Sequence, residues 1–287
     1  MIRPIEPTEE MRAALAKGEA GHKYTHGHAL VLSGGMGRGR AGRLAARAAL
    51  RSGAGLVTLL CPQAALAENA AQLNAVMLTV LPDAYSLRGM MADPRITALC
   101  LGPGLGLARA AEMVPAALWG KRPTVLDADA LSTYETDPQP FFTALHPGAV
   151  LTPHLGEFRT LFPDLAQRLA EGDDSLPLRA HVTRAAAERA GACVLLKGPE
   201  TVIASPAGEV AAHSATGEHA APWLATAGAG DVLAGIIAGL MARGLPPFEA
   251  ACTGTWLHAE AARSFGPGLI AEDLPDALPR VFRGLGL

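Results

Sequence analysis

The 287-residue chain has no CxxC pair, and its four cysteines, Cys61, Cys100, Cys193 and Cys252, lie far apart. That excludes a zinc ribbon or a thioredoxin-type dithiol. Four cysteines in so long a chain do not make a disulfide scaffold, which favours a reducing compartment. Blocks of like charge are missing too. The 24 Lys and Arg against 27 Asp and Glu leave a formal net charge of −3. This balance gives no electrostatic footprint for nucleic acid and no basic patch for a membrane surface. Long apolar runs are absent: the most apolar stretch, 232–242, is far short of the ~20 residues that span a bilayer. The opening residues MIRPIEPTEEMRAAL are charged and lack the apolar centre of a signal peptide. A cytoplasmic protein without nucleic-acid or membrane partners is expected. The chain also lacks a G-x-x-x-x-G-K-[ST] phosphate loop and a nucleophile elbow.

What is present is a regular alternation. Short Val-, Ile- and Leu-rich runs at 29–33, 56–61, 76–80, 96–101, 124–127, 149–152, 193–197 and 201–204 read as strands. Several are apolar on both faces, as in a parallel sheet covered by helices on each side. Between them, 42–52, 107–119, 175–190, 231–243 and 247–265 read as helices. The pattern predicts βαβ units in a doubly wound three-layer α/β fold. Residues 201–204 and 209–213, joined through Pro206 and Gly208, read as a hairpin. Residues 1–20 read as a poorly anchored leader and 21–287 as one domain.

In such a sheet, ligands bind beyond the carboxyl ends of the strands. Five of those ends carry special residues: Gly34-Gly35, Gly102 to Gly106, Asp127-Ala128-Asp129, Thr152-Pro153-His154 and Lys197-Gly198. The segment Ala227-Gly228-Ala229-Gly230-Asp231 opens an apolar helix. Free N–H groups at a helix start, with no side chains in the way, bind anions, and an acid beside them can take a proton from a hydroxyl. The plainer alternative is that Asp231 caps the helix. Lys197 can neutralise a phosphate or simply be solvated. Asp127 and Asp129 can hold Mg²⁺ through water, or one of them can cap the next helix. His154 and Glu157 form a single H-x-x-E, weak as a metal site. Residues 37–42 fit G-x-G-x-x-G, but the next strand ends Cys61-Pro62 without the carboxylate that a nicotinamide Rossmann site requires. Arg38, Arg40 and Arg43 of this loop read as solvated charges.

In order, these segments resemble the ribokinase-like superfamily and, more closely, the NAD(P)H-hydrate dehydratase family, from about residue 22 to the C-terminal helix. The carrying motifs are Gly34-Gly35, 52–57, 101–106, 125–131, Thr152-Pro153-His154 with Gly156-Glu157, Lys197-Gly198-Pro199 with 201–203, and 225–240. The resemblance implies a ribokinase-like three-layer α/β/α sandwich with a mostly parallel central sheet. It implies ADP-dependent repair of hydrated NADH or NADPH: the ring hydroxyl of NADHX or NADPHX is phosphorylated, phosphate leaves, and AMP is released, with ATP as the donor in other members. By motif match, Asp231 would be the base and contact the hydrate, and Ala41, Gly104, Gly106 and His154 would line its site. Lys197, Gly198, Pro199, Glu200, Thr201 and Gly230 would contact the nucleotide. Gly228, Ala229 and Gly230 would hold the transferred phosphate, with Mg²⁺ as the cation. A homotetramer and a separate NAD(P)HX epimerase are implied as partners. Within the same superfamily, a small-molecule kinase such as hydroxyethylthiazole kinase is the alternative. Three departures from the family pattern stand out: Ala229 where a hydroxyl residue is common, Leu155 where proline is usual, and an irregular stretch at 213–223 on the adenine side.

Overall fold

Side chains alternate across the sheet with period two. At the second strand of the chain, Ala29 and Val31 enter one apolar cluster, and Leu30 and Leu32 the other. Both faces are therefore covered, as the apolar runs require. The computed structural model describes residues 1–18 and 21–287. Its strands are β1 (Arg3–Pro4), β2 (His28–Leu32), β3 (Leu56–Cys61), β4 (Met77–Val80), β5 (Ile96–Leu101), β6 (Thr124–Leu126), β7 (Ala149–Leu151), β8 (Cys193–Leu196), β9 (Glu200–Ala204) and β10 (Val210–Ser214). They form one sheet in the order β1-β10-β9-β8-β7-β6-β5-β2-β3-β4. From β8 to β4 every pairing is parallel, and β9 joins antiparallel between β8 and β10.

The helices are α1 (Glu9–Leu15), α2 (Gly39–Arg51), α3 (Leu66–Ala70), α4 (Ala84–Met90), α5 (Leu107–Trp119), α6 (Asp129–Ser132), α7 (Gln139–Ala144), α8 (Leu155–Leu161), α9 (Pro163–Glu171), α10 (Leu176–Ala190), α11 (Ala229–Ala242), α12 (Pro247–Phe265) and α13 (Asp273–Gly284). Helices α2 and α11–α13 pack on one face, and α4–α10 on the other. This is the three-layer sandwich with a mostly parallel sheet that was expected. The expected strands and hairpin are present, with ends shifted by a residue or so. The short helices α3, α4 and α6–α9 span too few turns to show a period in the sequence. Helix α13 contains Pro275 and Pro279, which read as breakers.

One expectation is corrected. Of the leader expected at 1–20, the described residues 1–18 are anchored: β1 pairs in parallel with β10, and Leu15 is buried. A two-residue strand supported by distant partners leaves no local signal.

Strand order reverses between β5 and β2, the switch point where such sheets bind ligands. There the chain approaches itself closely. A Cβ on Gly34 would collide with the Gly104 carbonyl, and one on Gly104 would lie 3.2 Å from the Ala41 Cβ. On the face carrying α2, the contact with α11 is equally tight. A Cβ on Gly235 would enter the Ala45 carbonyl, and Ser52 Oγ donates to the Ile236 carbonyl at 3.2 Å. This packing fixes where the first turn of α11 lies. Gly235→Ala is expected to cost about 1–3 kcal/mol by overpacking. Thermal denaturation should show a midpoint several degrees lower, whereas Gly284→Ala, with no heavy atom within 4 Å of the new Cβ, should leave it nearly unchanged.

Candidate active site

At the ligand end of the sheet, three neighbouring strands bring together an ion pair. Asp127 follows β6, Thr152 follows β7 and Lys197 follows β8. Lys197 Nζ donates to Asp127 Oδ1 at 2.7 Å, and Thr152 Oγ1 donates to the same oxygen at 2.8 Å. Glu157 Oε2 lies 3.9 Å from the ammonium. Asp127 is buried, and the Lys197 side chain is 21% exposed. Burial pulls the Lys197 ammonium down, and the Asp127 and Glu157 carboxylates more than offset it, so its pKa stands above the ordinary lysine value. Burial pushes Glu157 up, opposed by Lys197. Lys197 is thus no solvated strand-end charge.

Helix α11 begins above this pair. Gly228 caps it in a left-handed conformation (φ 99°) that favours glycine. Among the described residues the N–H groups of Gly230 and Asp231 have no backbone acceptor, as expected for a first turn. A Cβ at Gly230 would lie 3.4 Å from Lys197 Nζ, so glycine keeps the approach to the ammonium open. Asp231 is the third residue of the helix and makes no side-chain cap bond. Its pKa is pushed up to about 6, first by burial and next by the charge of Asp127, with Lys197 and Arg40 pulling the other way. An acid with a pKa of about 6 beside free amides is mostly ionised at neutral pH and poised as a proton acceptor.

His154 has a double role. It caps α8: its Nδ1 accepts from the Glu157 N–H at 3.1 Å, and its own N–H donates to Glu157 Oε2 at 2.8 Å. Because Nδ1 accepts, the proton of the neutral ring sits on Nε2. The ring is 60% exposed, and its Nε2 lies 3.5 Å from Glu157 Oε1. Glu157, outside the predicted nucleotide and hydrate contacts, is the residue that couples His154 to Lys197. The metal reading of His154 with Glu157 gains nothing: among the described residues no three His, Cys, Asp or Glu converge to hold an ion.

The other predicted residues fall in two groups. Ala41 and Gly104 lie against each other, and the Gly106 N–H donates to Asp129 Oδ2 at 2.7 Å. Asp129 therefore braces the 102–106 loop, and neither it nor Asp127 makes a side-chain cap bond to α6. Gly198 and Pro199 lie in the turn between β8 and β9, and Glu200 and Thr201 open β9, where Thr201 Oγ1 donates back to the Gly198 carbonyl at 2.9 Å. The 213–223 stretch is ordered by two short 3₁₀ turns and by the Ala215 N–H donating to the Pro199 carbonyl at 2.8 Å. Beside this turn opens a cleft of about 660 Å³, lined by Glu200, His213, Trp256 and Arg263 among others. The cleft left no mark in the sequence, because its walls come from distant elements. Arg40 was read as solvated; it is exposed, yet its charge reaches Asp231.

Comparison with known proteins places this geometry. A family model described as NAD(P)H-hydrate dehydratase matches residues 29–279. The chain is 40% identical to a bifunctional NAD(P)H-hydrate repair enzyme of Moorella thermoacetica, over 96% of this chain and 53% of that protein. It is 37% identical to an ADP-dependent (S)-NAD(P)H-hydrate dehydratase of Neisseria meningitidis, over 91% of this chain and 87% of that protein. Among solved structures, an ADP/ATP-dependent NAD(P)H-hydrate dehydratase of Bacillus subtilis, co-crystallised with ATP/Mg²⁺, aligns with TM-score 0.79 at 28% identity over 99% of both chains. The chain spans about half the length of the bifunctional relatives it matches.

The ion pair yields a stability test. Lys197→Met leaves Asp127 and Glu157 without their buried partner, and removing one member of such a pair costs on the order of 3 kcal/mol. Urea denaturation should show that loss, and adding Asp127→Asn should recover part of it.

Proposed function

Because this chain belongs to the NAD(P)H-hydrate dehydratase family, we propose that the Asp231 site performs ADP-dependent dehydration of (S)-NADHX or NADPHX. The observation that carries the reading is Asp231, held near pKa 6 beside the free α11 amides and the paired Lys197. Asp231 takes the proton of the ring hydroxyl as that oxygen attacks the β-phosphorus of ADP. The bond to the α-phosphate bridge breaks and AMP leaves. The free amides of Gly228 and Gly230 hold the transferred phosphoryl group, Lys197 balances its charge, and the Ala229 N–H joins them only on leaving the Thr226 carbonyl, to which it donates at 3.3 Å. Phosphate then departs with the electrons of its C–O bond, the adjacent ring carbon loses a proton to the departing phosphate or to water, and the electrons of that C–H bond re-form the C=C bond, giving NADH or NADPH. Ala41, Gly104, Gly106 and His154 line the hydrate side, to which the half-exposed His154 ring offers its face.

The nucleotide runs from Lys197 and Gly230 through Gly198, Pro199, Glu200 and Thr201. Glu200 follows Lys197 around the turn from β8 into β9, and the cleft beside Glu200 receives the base. The residues fit Mg²⁺ carried by the nucleotide phosphates, which needs only one or two protein carboxylates. Among the described residues Asp127 Oδ2 accepts no hydrogen bond, and Asp129 lies two residues on. These two would hold the ion through water, and it would neutralise phosphate charge.

A homo-oligomer, with a tetramer as its expected size, accompanies this reading, together with an epimerase partner and a cytoplasmic setting. The exposed Tyr85 and Trp119, on the mutually packed α4 and α5, supply apolar surface for subunit contact. Among the described residues no helix is long and apolar enough to cross a membrane.

Absorbance at 340 nm tests the reaction. Purified protein with NADHX and Mg²⁺ should produce a rise with ADP, and a rise with ATP alone would change the donor. No rise with either, together with a stable phosphorylated product from a thiamin-precursor alcohol, would mark a kinase instead. Asp231→Asn should lower kcat by about 10²–10⁴ without lowering the melting temperature, because it removes a carboxylate whose ionisation the fold disfavours. The wild-type rate should rise with pH through about 6, since only ionised Asp231 accepts the proton. A flat profile from pH 5 to 8 in the chemical step would rule out this base.

A further inference from the structure

The N-terminal segment forms one side of the cleft beside Glu200: Ile2, Pro4, Ile5, Glu6 and Pro7 all line it. Three separate attachments hold the segment there. Arg3 and Pro4 pair with Ala211 and Ala212 of β10, and the Ile5 N–H donates to the Ala212 carbonyl at 2.9 Å. The Arg3 guanidinium donates to both Glu249 carboxylate oxygens at 2.9 and 3.0 Å. Farther along, Arg243 Nη2 donates to the carbonyls of Ala14, Leu15 and Ala16 at 2.9–3.0 Å, satisfying the end of α1 that the helix cannot satisfy itself. Ile5 is 7% exposed and belongs to the same apolar cluster as α11 and α12.

The position of this wall matters. β1 runs parallel to β10, so the chain leaves β1 towards the end of β10 at which His213 and Ser214 also line the cleft. Trp256 of α12 and Leu176 of α10 line it too, as do the polar His219, Glu260 and Arg263. Aliphatic, proline and indole surface beside polar groups suits a flat ring that carries hydrogen-bonding atoms. The cleft's volume lies in the range of small-molecule sites.

We propose that residues 2–7 are a nucleotide-affinity element, the fixed wall against which the purine base of the co-substrate packs. This rests on the reading above that the base enters the cleft. The segment touches neither Asp231 nor the hydrate side, so it acts on nucleotide binding alone.

Two experiments on the full chain test it. Ile5→Ala should raise the KM for ADP roughly tenfold, the loss expected for removing much of one buried aliphatic contact. The KM for NADHX and kcat should stay within twofold, and Ile5→Val should restore most of the affinity. An unchanged KM for ADP in folded Ile5→Ala overturns the proposal. The second experiment uses the wild-type protein and needs no variant to fold. Saturating AMP should slow hydrogen exchange at the amides of residues 2–6, whereas inorganic phosphate, which lacks a base, should not. No protection by AMP overturns the proposal, as does equal protection by phosphate. Protection by AMP in a protein that forms no NADH from NADHX would count against the reaction reading and for the wall.

Discussion

Lys197 and Asp127 lie 2.7 Å apart where water has little access, and the ends of three strands are organised around them. Asp127 receives Lys197 from β8 and Thr152 from β7 on a single oxygen. The backbone follows the same pattern: the Lys197 N–H donates to the Pro153 carbonyl, the Thr152 N–H to Leu126, and the Asp127 N–H to Leu101. A buried ion pair returns little net stability, because desolvation consumes most of the attraction. It is sensitive to geometry, however, and this one fixes the relative register of strand ends that the parallel ladder alone would leave to fray. The proposed catalytic centre is built on that register.

The same pair sets the chemistry above it. Three carboxylates, Asp127, Glu157 and Asp231, share one largely buried ammonium. The surplus negative charge, added to burial, holds Asp231 at about pKa 6. Full neutralisation would leave Asp231 ionised but a feeble base, and a wholly apolar setting would keep it protonated at neutral pH. The exposed Arg40 trims the balance from the far side. A phosphoryl group arriving at the α11 amides meets this surplus as repulsion, which is why the reading includes a cation carried by the nucleotide and leaves charge compensation neither to Lys197 nor to the helix dipole alone.

The sheet was legible because each central strand is apolar on both faces, and the ends of the longer helices because their apolar stretches stop at glycine or polar residues. The site was legible as a set of strand ends, since glycines and single charged residues there have no structural need for one another. Their partners were not legible. Glu157 reaches Lys197 only because β7 lies beside β8, a fact of strand order with no local trace. Likewise, the anchoring of residues 3–16 depends on Arg243 and Glu249, more than 200 residues away, and on a strand too short to show alternation. His154 illustrates a different limit. The sequence offers a ligand contact or a weak metal pair with Glu157, whereas in the structure the ring caps α8 through Nδ1 with 60% of its surface still exposed.

Position 229 puts the departure from the family pattern in physical terms. A hydroxyl residue there would supply an extra donor near the phosphate. Ala229 is buried at 5% exposure among the apolar residues of α11 and α12, so the side chain serves packing. Its neighbours carry the stricter demands. Gly228 must adopt a positive φ, and Gly230 must leave the 3.4 Å path to Lys197 clear. The donors that remain are backbone N–H groups, which no substitution short of proline removes. An anion hole made from the start of a helix therefore tolerates the loss of a side-chain hydroxyl, provided that the tight α2–α11 contact at Gly235 and the ion pair below keep that first turn in place.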